Sequence, residues 1–181
     1  MNLSGKILKW FGWSVHYTVP DYPKAIICVA PHTSNWDFIL GELAVRSVGV
    51  KAGFLMKSTW FFFPLGYFLR AIGGVAVERG KKKASLVETL VGRFKQSDKL
   101  VLAIAPEGTR KKTTTWHTGF LRIAYQAEIP VCLGAIDYPS RTILVTEQLS
   151  LTGDIDADLR AVKQYYSAFT GKYPEKFSTD D

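Results

Sequence analysis

His32 and Asp37 are the two residues of this 181-residue chain whose types and spacing best fit general-base chemistry. When a carboxylate accepts one ring N–H of an imidazole, the other ring nitrogen stays unprotonated and can take a proton from a hydroxyl. A spacing of five positions does not align two side chains on a regular helix. The sequence therefore predicts that His32 lies in a turn before a helix and that Asp37 folds back from the first helical turn.

The same stretch also fits an ordinary helix start. Ser34 and Asp37 have the spacing of a capping box, and a histidine in a turn can simply be solvated. Taken alone, the pair is compatible with either interpretation. The other histidines point less clearly to chemistry: His16 is expected to be packed or exposed, and His117 could contact a ligand near the second polar cluster described next.

A second polar cluster is typical of anion binding. Gly108 permits a close backbone approach, and the planar guanidinium of Arg110 suits two-pronged binding of phosphate. Lys111 and Lys112 follow directly. The alternative is a polar turn with solvated cations. A third polar group, Arg79, could bind the same ligand or could pair with Glu78 or another surface acid.

Each polar cluster follows a predicted strand. Residues 25–30 and 100–105 are continuous apolar runs, as expected for strands covered on both faces, and residues 74–78 form another strand. Ligands in such sheets gather beyond the carboxyl ends of the strands. The clusters are therefore expected at one edge of a sheet.

The remaining pattern predicts a single α/β domain with a central, mostly parallel or mixed sheet flanked by helices. Helical spacing of apolar residues is found after residues 34–37, over residues 86–94 and over 119–128, and Asp154 is expected to cap a last helix that reaches Phe169. Residues 131–136 and 142–146 are expected to be strands.

Composition narrows the class of protein. The chain carries 23 Lys and Arg against 16 Asp and Glu, a net charge of +7, which favours an anionic partner. Its aromatic residues lie mainly in apolar runs rather than interleaved with the basic ones, which argues against nucleic acid. Cys28 and Cys132 lie inside apolar runs and are expected to be buried thiols.

We find no signal peptide and no spanning helix, because the apolar run 60–69 is short and contains proline and glycine.

Taken together, the ordered motifs resemble those of the glycerolipid acyltransferase family, the group that contains the lysophosphatidate (1-acylglycerol-3-phosphate) acyltransferases. The H-x-x-x-x-D motif falls on His32 and Asp37, the glycine-containing strand that ends in arginine on residues 74–79, and the P-E-G-T-R motif on residues 106–110. Lys57 and the step at residues 129–131 resemble two further family segments. The resemblance extends over residues 25–136.

The resemblance implies transfer of a fatty acyl group from acyl-CoA or acyl-carrier protein to a hydroxyl of a lysophospholipid or similar lipid precursor, without a metal or other cofactor. His32 would be the base and Asp37 its support. The implied substrate-binding residues are Lys57, Arg79, Glu107, Gly108, Thr109 and Arg110. The chain departs from the family at Glu78, where Asp is frequent, and at His117, where Lys is common. The change from lysine to His117 is expected to bear on which acceptor the protein binds.

The sequence also predicts an organisation and a location. Residues 1–20 are expected to be an amphipathic segment and residues 21–181 the acyltransferase domain, in a cytoplasmic protein attached to the inner face of an anionic membrane. The amphipathic segment, with Leu3, Ile7, Trp10 and Phe11 near one helical face, could enter the bilayer or pack on its own domain. A thioesterase or other hydrolase using the same His–Asp pair, and a basic membrane-binding module without catalysis, are the alternatives.

Overall fold

In the computed structural model, which describes residues 2–77 and 83–180, seven strands form a single sheet. The strands are β1 (Ser14–Tyr17), β2 (Lys24–Ala30), β3 (Ala52–Lys57), β4 (Gly74–Val77), β5 (Leu100–Ile104), β6 (Val131–Asp137) and β7 (Thr142–Gln148). Their order across the sheet is β1-β7-β6-β2-β5-β3-β4. Neighbouring strands run parallel except β6 and β7, so the sheet is mixed, as expected.

Helices cover both faces of this sheet. They are α1 (Leu3–Trp10), α2 (Asn35–Ser47), α3 (Leu65–Ala71), α4 (Lys83–Gln96), α5 (Gly119–Ala127) and α6 (Ile155–Tyr166). Alternate residues of β2 point to opposite faces: Ile26 and Cys28 pack with α4, α5 and α6, whereas Ile27 packs in the cluster that includes Val45 of α2. The predicted α/β architecture is confirmed, and both cysteine thiols are buried.

Three elements were not predicted from the sequence. β1 is an edge strand of four residues with two polar members, β3 is a strand of six residues that contains Gly53 and ends in Lys57, and α3 follows Pro64 and contains Gly66. Their local patterns are too short or too broken to indicate a regular element. The last helix also differs, because α6 ends at Tyr166 and does not reach Phe169, although Asp154 caps it as predicted.

Helix α1 packs on its own domain along one side. Leu8 is 2% exposed and lies in a cluster with Leu40 and Ala44 of α2, and the side chain of Asn2 donates to the carbonyl of Arg46 at 2.7 Å. Much of the predicted apolar face stays outside this contact, since Trp10 is 84% exposed. Among the residues that the structure describes, no helix has the length and apolar character needed to cross a bilayer.

The parallel strands β2, β5 and β3 all end at the same edge, which we call the carboxyl edge of the sheet. His32 follows β2, and Lys57 is the last residue of β3. Residues 106–110 follow β5. The polar clusters at His32 and at residues 107–110 are thus brought to one place by strand order. Glu78 and Arg79 lie outside the described residues.

Candidate active site

The turn between β2 and α2 holds His32 and Asp37 side by side. Nδ1 of His32 lies 3.5 Å from Oδ2 of Asp37, longer than a normal hydrogen bond but close enough to orient the ring. The His32 side chain is 24% exposed and that of Asp37 only 1% exposed. Because Nδ1 faces the carboxylate, Nε2 on the opposite side of the ring is the nitrogen available to a substrate.

Asp37 also closes the capping box of α2. Its Oδ2 accepts the backbone N–H groups of Thr33 at 2.8 Å and Ser34 at 2.7 Å, and the Ser34 hydroxyl accepts the N–H of Trp36 at 3.0 Å. These bonds satisfy groups that the first turn of a helix would otherwise leave unpaired. The two interpretations of this motif are therefore compatible, since one carboxylate both caps the helix and faces the imidazole.

Tyr138, in the turn between β6 and β7, is a third member of this group. Its hydroxyl donates to Oδ1 of Asp37 at 2.7 Å. Its ring packs edge-on against Trp13, with centroids 5.2 Å apart, and its N–H donates to the carbonyl of Thr170 at 3.0 Å. Tyr138 is not among the residues that the sequence indicates, because no local motif relates it to a residue 101 positions earlier.

Asp37 is held as a carboxylate by these contacts. Burial by itself would raise its pKa, but the imidazole of His32, the hydroxyl of Tyr138 and the N–H of Ser34 outweigh burial, so the pKa lies below its ordinary value. The pKa of Tyr138 shifts in the opposite direction, because burial and the neighbouring Asp37 raise it. Tyr138 therefore stays a neutral donor, and Asp37 stays a charged acceptor beside His32.

Glu107, in the loop that follows β5, fixes the backbone of the turn that holds His32. Its Oε1 accepts the N–H of His32 at 2.8 Å, and the residue is 3% exposed. Burial raises the pKa of Glu107 to about 7, although the bond from His32 lowers it in part. The bond joins two loops 75 residues apart in the sequence and sets where the imidazole stands.

The raised pKa of Glu107 predicts a pH-dependent stability. The folded protein holds this proton up to about pH 7, whereas the unfolded chain releases it near pH 4.5. The protonated carboxyl of Glu107 therefore stabilises the folded protein fully below about pH 4.5, and this stabilisation is lost as the pH rises through 7. The loss amounts to about 3 kcal/mol in the free energy of unfolding. Glu107→Gln keeps an oxygen for the His32 N–H and removes the titration.

Urea unfolding of both proteins at about pH 5 and about pH 8 measures this effect. We expect the glutamine variant to gain stability relative to the wild type as the pH rises. A stability difference that is the same at both pH values would contradict the assignment.

Gly108 is required by its surroundings. Its φ is +63°, and a Cβ there would lie 2.5 Å from Cδ2 of His117. His117 is fixed against this turn, and its N–H donates to the carbonyl of Pro106 at 2.7 Å. Thr109 is half-buried and accepts the N–H of Lys111 at 3.2 Å. His117 thus lies against the second polar cluster, near which the sequence placed it.

Cationic side chains lie around the mouth of a cleft at this edge. Arg110 is exposed and donates to the side chain of Asn35 in the first turn of α2. Arg110, Lys111 and Lys57 line the same cleft as His32. The structure therefore brings together His32, Asp37, Lys57 and residues 107–110, and Arg79 alone of the predicted site residues lies outside its description.

The cleft itself is large and mostly apolar inside. Its volume is about 1770 Å³, and His32 and Asp37 are among its lining residues. Several apolar side chains of the sheet and α2 line it on one side: Ile27, Val29, Phe38, Val45, Phe54 and Val145. Such a space can hold a hydrocarbon chain, while the cations at its mouth can hold an anion.

The carboxyl-terminal segment supports the turn from outside. The Thr33 hydroxyl accepts the N–H of Tyr173 at 3.2 Å, and Thr33 is 2% exposed. A Cβ at Gly171 would lie 2.9 Å from the Thr33 hydroxyl oxygen, so this approach requires glycine. No motif in the sequence indicates a role for this segment. Its contact with the turn depends on the path of the chain after α6.

The arrangement can do general-base chemistry on a bound hydroxyl. A buried carboxylate orients an imidazole whose other nitrogen faces a cleft with an apolar interior and a cationic mouth. Within residues 2–77 and 83–180, no group of three or more His, Cys, Asp or Glu side chains is placed to hold a metal ion.

Comparisons with known proteins agree with this geometry. Residues 15–137 match the family model named Acyltransferase, a range that includes the turn at His32 and the cluster at residues 107–110. The fold is similar to the crystal structure of the 1-acyl-sn-glycerophosphate (LPA) acyltransferase PlsC from Thermotoga maritima, with a TM-score of 0.58 and 15% identity over 91% of this chain and 76% of that one. A comparison with curated proteins found no significant match.

Proposed function

Because the chain belongs to the acyltransferase family, we propose that it moves a fatty acyl group from an acyl thioester to a hydroxyl of a phosphate-bearing lysolipid, with His32 as general base. One observation carries the proposal. The His32–Asp37 pair lies on the wall of a cleft that is apolar inside and cationic at its mouth. A lysolipid has matching parts: a hydrocarbon chain, a hydroxyl and a phosphate.

The proposed reaction has two steps at His32. Nε2 takes the proton of the acceptor hydroxyl as its oxygen attacks the thioester carbonyl, and Asp37 stabilises the resulting imidazolium. The tetrahedral intermediate then collapses, the carbon–sulfur bond breaks, and the imidazolium returns the proton to the departing thiolate. The products are an ester and a free thiol. No acyl-enzyme forms, and no cofactor takes part.

The apolar lining of the cleft supports a fatty acyl chain. Burying each methylene contributes about 0.8 kcal/mol, so a chain held along α2 and the sheet would be bound mainly by its length. This binding energy positions the thioester beside His32 and makes the attack effectively intramolecular. The donor's carrier, coenzyme A or acyl-carrier protein, remains outside such a cleft, and either fits this part of the proposal.

The acceptor phosphate is assigned to the cations at the mouth. Arg110 can bind two phosphate oxygens, and Lys57 and Lys111 lie in the same wall. Gly108 and Thr109 offer backbone and hydroxyl groups from the turn that Glu107 anchors. Arg79 belongs to this set by its place in the motif order.

Purified protein, acyl-CoA or acyl-carrier protein, and a lysophospholipid test the proposal directly. Release of thiol should depend on the lysophospholipid, and mass spectrometry should find the diacyl product. Thiol release of equal rate without any acceptor would identify a hydrolase instead. No thiol release with either donor would leave a binding module and would contradict the proposal.

Arg110→Ala tests the assignment of the phosphate. We expect KM for the lysophospholipid to rise about 10- to 100-fold with little change in kcat, because a charge-assisted hydrogen bond is lost in the ground state and transition state alike. Lys112→Ala is the matched control, since Lys112 is an exposed cation in the same loop that does not line the cleft. Equal effects of the two substitutions would show that only overall charge matters.

A further inference from the structure

Five large aromatic side chains between β3 and β4 are exposed to solvent. We call them the aromatic surface: Trp60, Phe62, Phe63, Tyr67 and Phe68. Phe63 is 86% exposed and Tyr67 is 79% exposed. Single exposed apolar residues need no explanation, but a contiguous apolar patch marks a site of interaction.

The exposure follows from how α3 is anchored. Leu69 and Gly66 are buried, and a Cβ at Gly66 would lie 2.5 Å from the carbonyl oxygen of Phe61. The side of α3 that carries Gly66 and Leu69 is therefore packed against the rest of the protein. Tyr67 and Phe68 are on the remaining side and have no covering element among the described residues. The helix is apolar on both sides, which is typical of one that has a second apolar neighbour.

The aromatic surface begins at the carboxyl edge of the sheet, beside the candidate active site. It begins three residues after β3 ends at Lys57, and β3 ends at the same edge as β2 and β5. Trp60 itself lines the cleft that contains His32. Whatever covers the aromatic surface therefore also faces the mouth of the cleft.

Trp10 and Phe11 lie at the same edge, at the opposite end of the strand order. β1 is parallel to β7, β7 is antiparallel to β6, and β6 is parallel to β2, so β1 starts at the edge where β2 ends. The two exposed aromatics at the end of α1 immediately precede that start. Exposed rings thus flank the active site on both sides along one edge.

The charge around the aromatic surface indicates what covers it. From residue 57 to residue 77, a range that includes the aromatic surface, the chain has two basic residues and no acidic one. The basic residues are Lys57 and Arg70. A second copy of this chain would bring the same positive charge, whereas an anionic phospholipid surface complements it. Aromatic rings with nearby Lys and Arg are the side chains that settle at the bilayer interface.

We propose that the enzyme lies on an anionic phospholipid bilayer with the carboxyl edge of its sheet facing the lipid and the aromatic surface inserted among the headgroups. The acceptor then enters the cleft from the membrane, with its phosphate at headgroup level near Lys57 and Arg110. The direction of substrate entry rests on the proposed function. Binding of the aromatic surface to lipid does not, and it is measured without catalysis.

Sedimentation with vesicles tests the proposal. Wild type is expected to bind vesicles of mixed phosphatidylglycerol and phosphatidylcholine and to bind phosphatidylcholine vesicles weakly. Phe63→Ser combined with Phe68→Ser should weaken binding to the anionic vesicles at least tenfold. Leu3→Ser combined with Val48→Ser is the matched control, because both residues are exposed and lie at the opposite edge, near the start of α1 and the end of α2.

Activity toward a short-chain acceptor below its micelle concentration separates this proposal from the proposed function. Phe63 and Phe68 do not line the cleft, so the double variant should keep wild-type transfer in the absence of vesicles. Absence of transfer in both proteins would overturn the proposed function and leave the vesicle result standing. Equal vesicle binding by the double variant and wild type would overturn the membrane proposal.

Binding to another protein is the remaining outcome that would overturn the membrane proposal. If wild type self-associates in sedimentation equilibrium and the double variant does not, the aromatic surface belongs to a second copy. If wild type binds an acidic acyl-carrier protein but no vesicle, and the double variant loses that binding, the surface belongs to the donor.

Discussion

Alanine in place of His32 is expected to lower kcat for acyl transfer by about 10²- to 10⁴-fold, which is the usual contribution of a positioned general base. The acceptor hydroxyl would then have no base within reach, since Asp37 is 1% exposed and its oxygens accept from Tyr138 and from the helix start. KM for either substrate should change little, because the imidazole acts mainly in the transition state.

Stopped assays with a lysophospholipid acceptor measure the loss. The fold should be retained, since His32 contributes its backbone N–H to Glu107 whatever its side chain. Urea unfolding and vesicle binding of the variant should match wild type. His16→Ala is the matched control, because His16 is an exposed histidine on β1 that does not line the cleft. Wild-type turnover in the His32 variant would overturn the mechanism.

Asparagine in place of Asp37 is expected to lower kcat by about 10²-fold while costing only about 1 kcal/mol of stability. The amide oxygen can still accept the N–H groups of Thr33 and Ser34, so the helix start is largely preserved. The amide nitrogen would face the Tyr138 hydroxyl, which can accept as well as donate. What disappears is the negative charge that orients His32 and stabilises its protonated form.

Two control variants separate the roles of this carboxylate. Ser34→Ala removes the bond to the Trp36 N–H and is expected to cost about 1 kcal/mol of stability with little effect on kcat. Tyr138→Phe removes the bond to Oδ1 and should lower kcat only several-fold with KM unchanged, because Asp37 keeps its charge. If Ser34→Ala lowered kcat as much as Asp37→Asn, the effect of Asp37 would be attributable to capping alone.

The shared use of Asp37 has a structural consequence. The carboxylate that faces His32 accepts the backbone N–H groups at the start of α2, so the backbone of this turn fixes its position. Glu107 fixes the N–H of His32 from the loop that follows β5. The imidazole is thus held from two sides before any substrate binds, which is how a site reduces the cost of orienting its base.

Much of the fold follows from local pattern. β2, β5 and β6 are central strands covered on both faces, and their continuous apolar runs indicate strands without reference to the rest of the chain. The family match confirms the resemblance drawn from the motif order. β1 and β3 could not be predicted in this way, because four or six residues with polar or small members become strands only when neighbours supply hydrogen-bond partners.

The sequence alone determined which residues could do the chemistry: a histidine before a capped helix, an aspartate at the third helical position, and a glycine and arginine after another strand. Only the tertiary structure decided that Tyr138 and Glu107 hold this group, because bonds across 101 and 75 residues depend on the order of strands in the sheet. Exposure was decided there too. In the sequence, residues 60–69 are only a short apolar run, and the packing of α3 is what leaves five of their aromatic rings exposed beside the site.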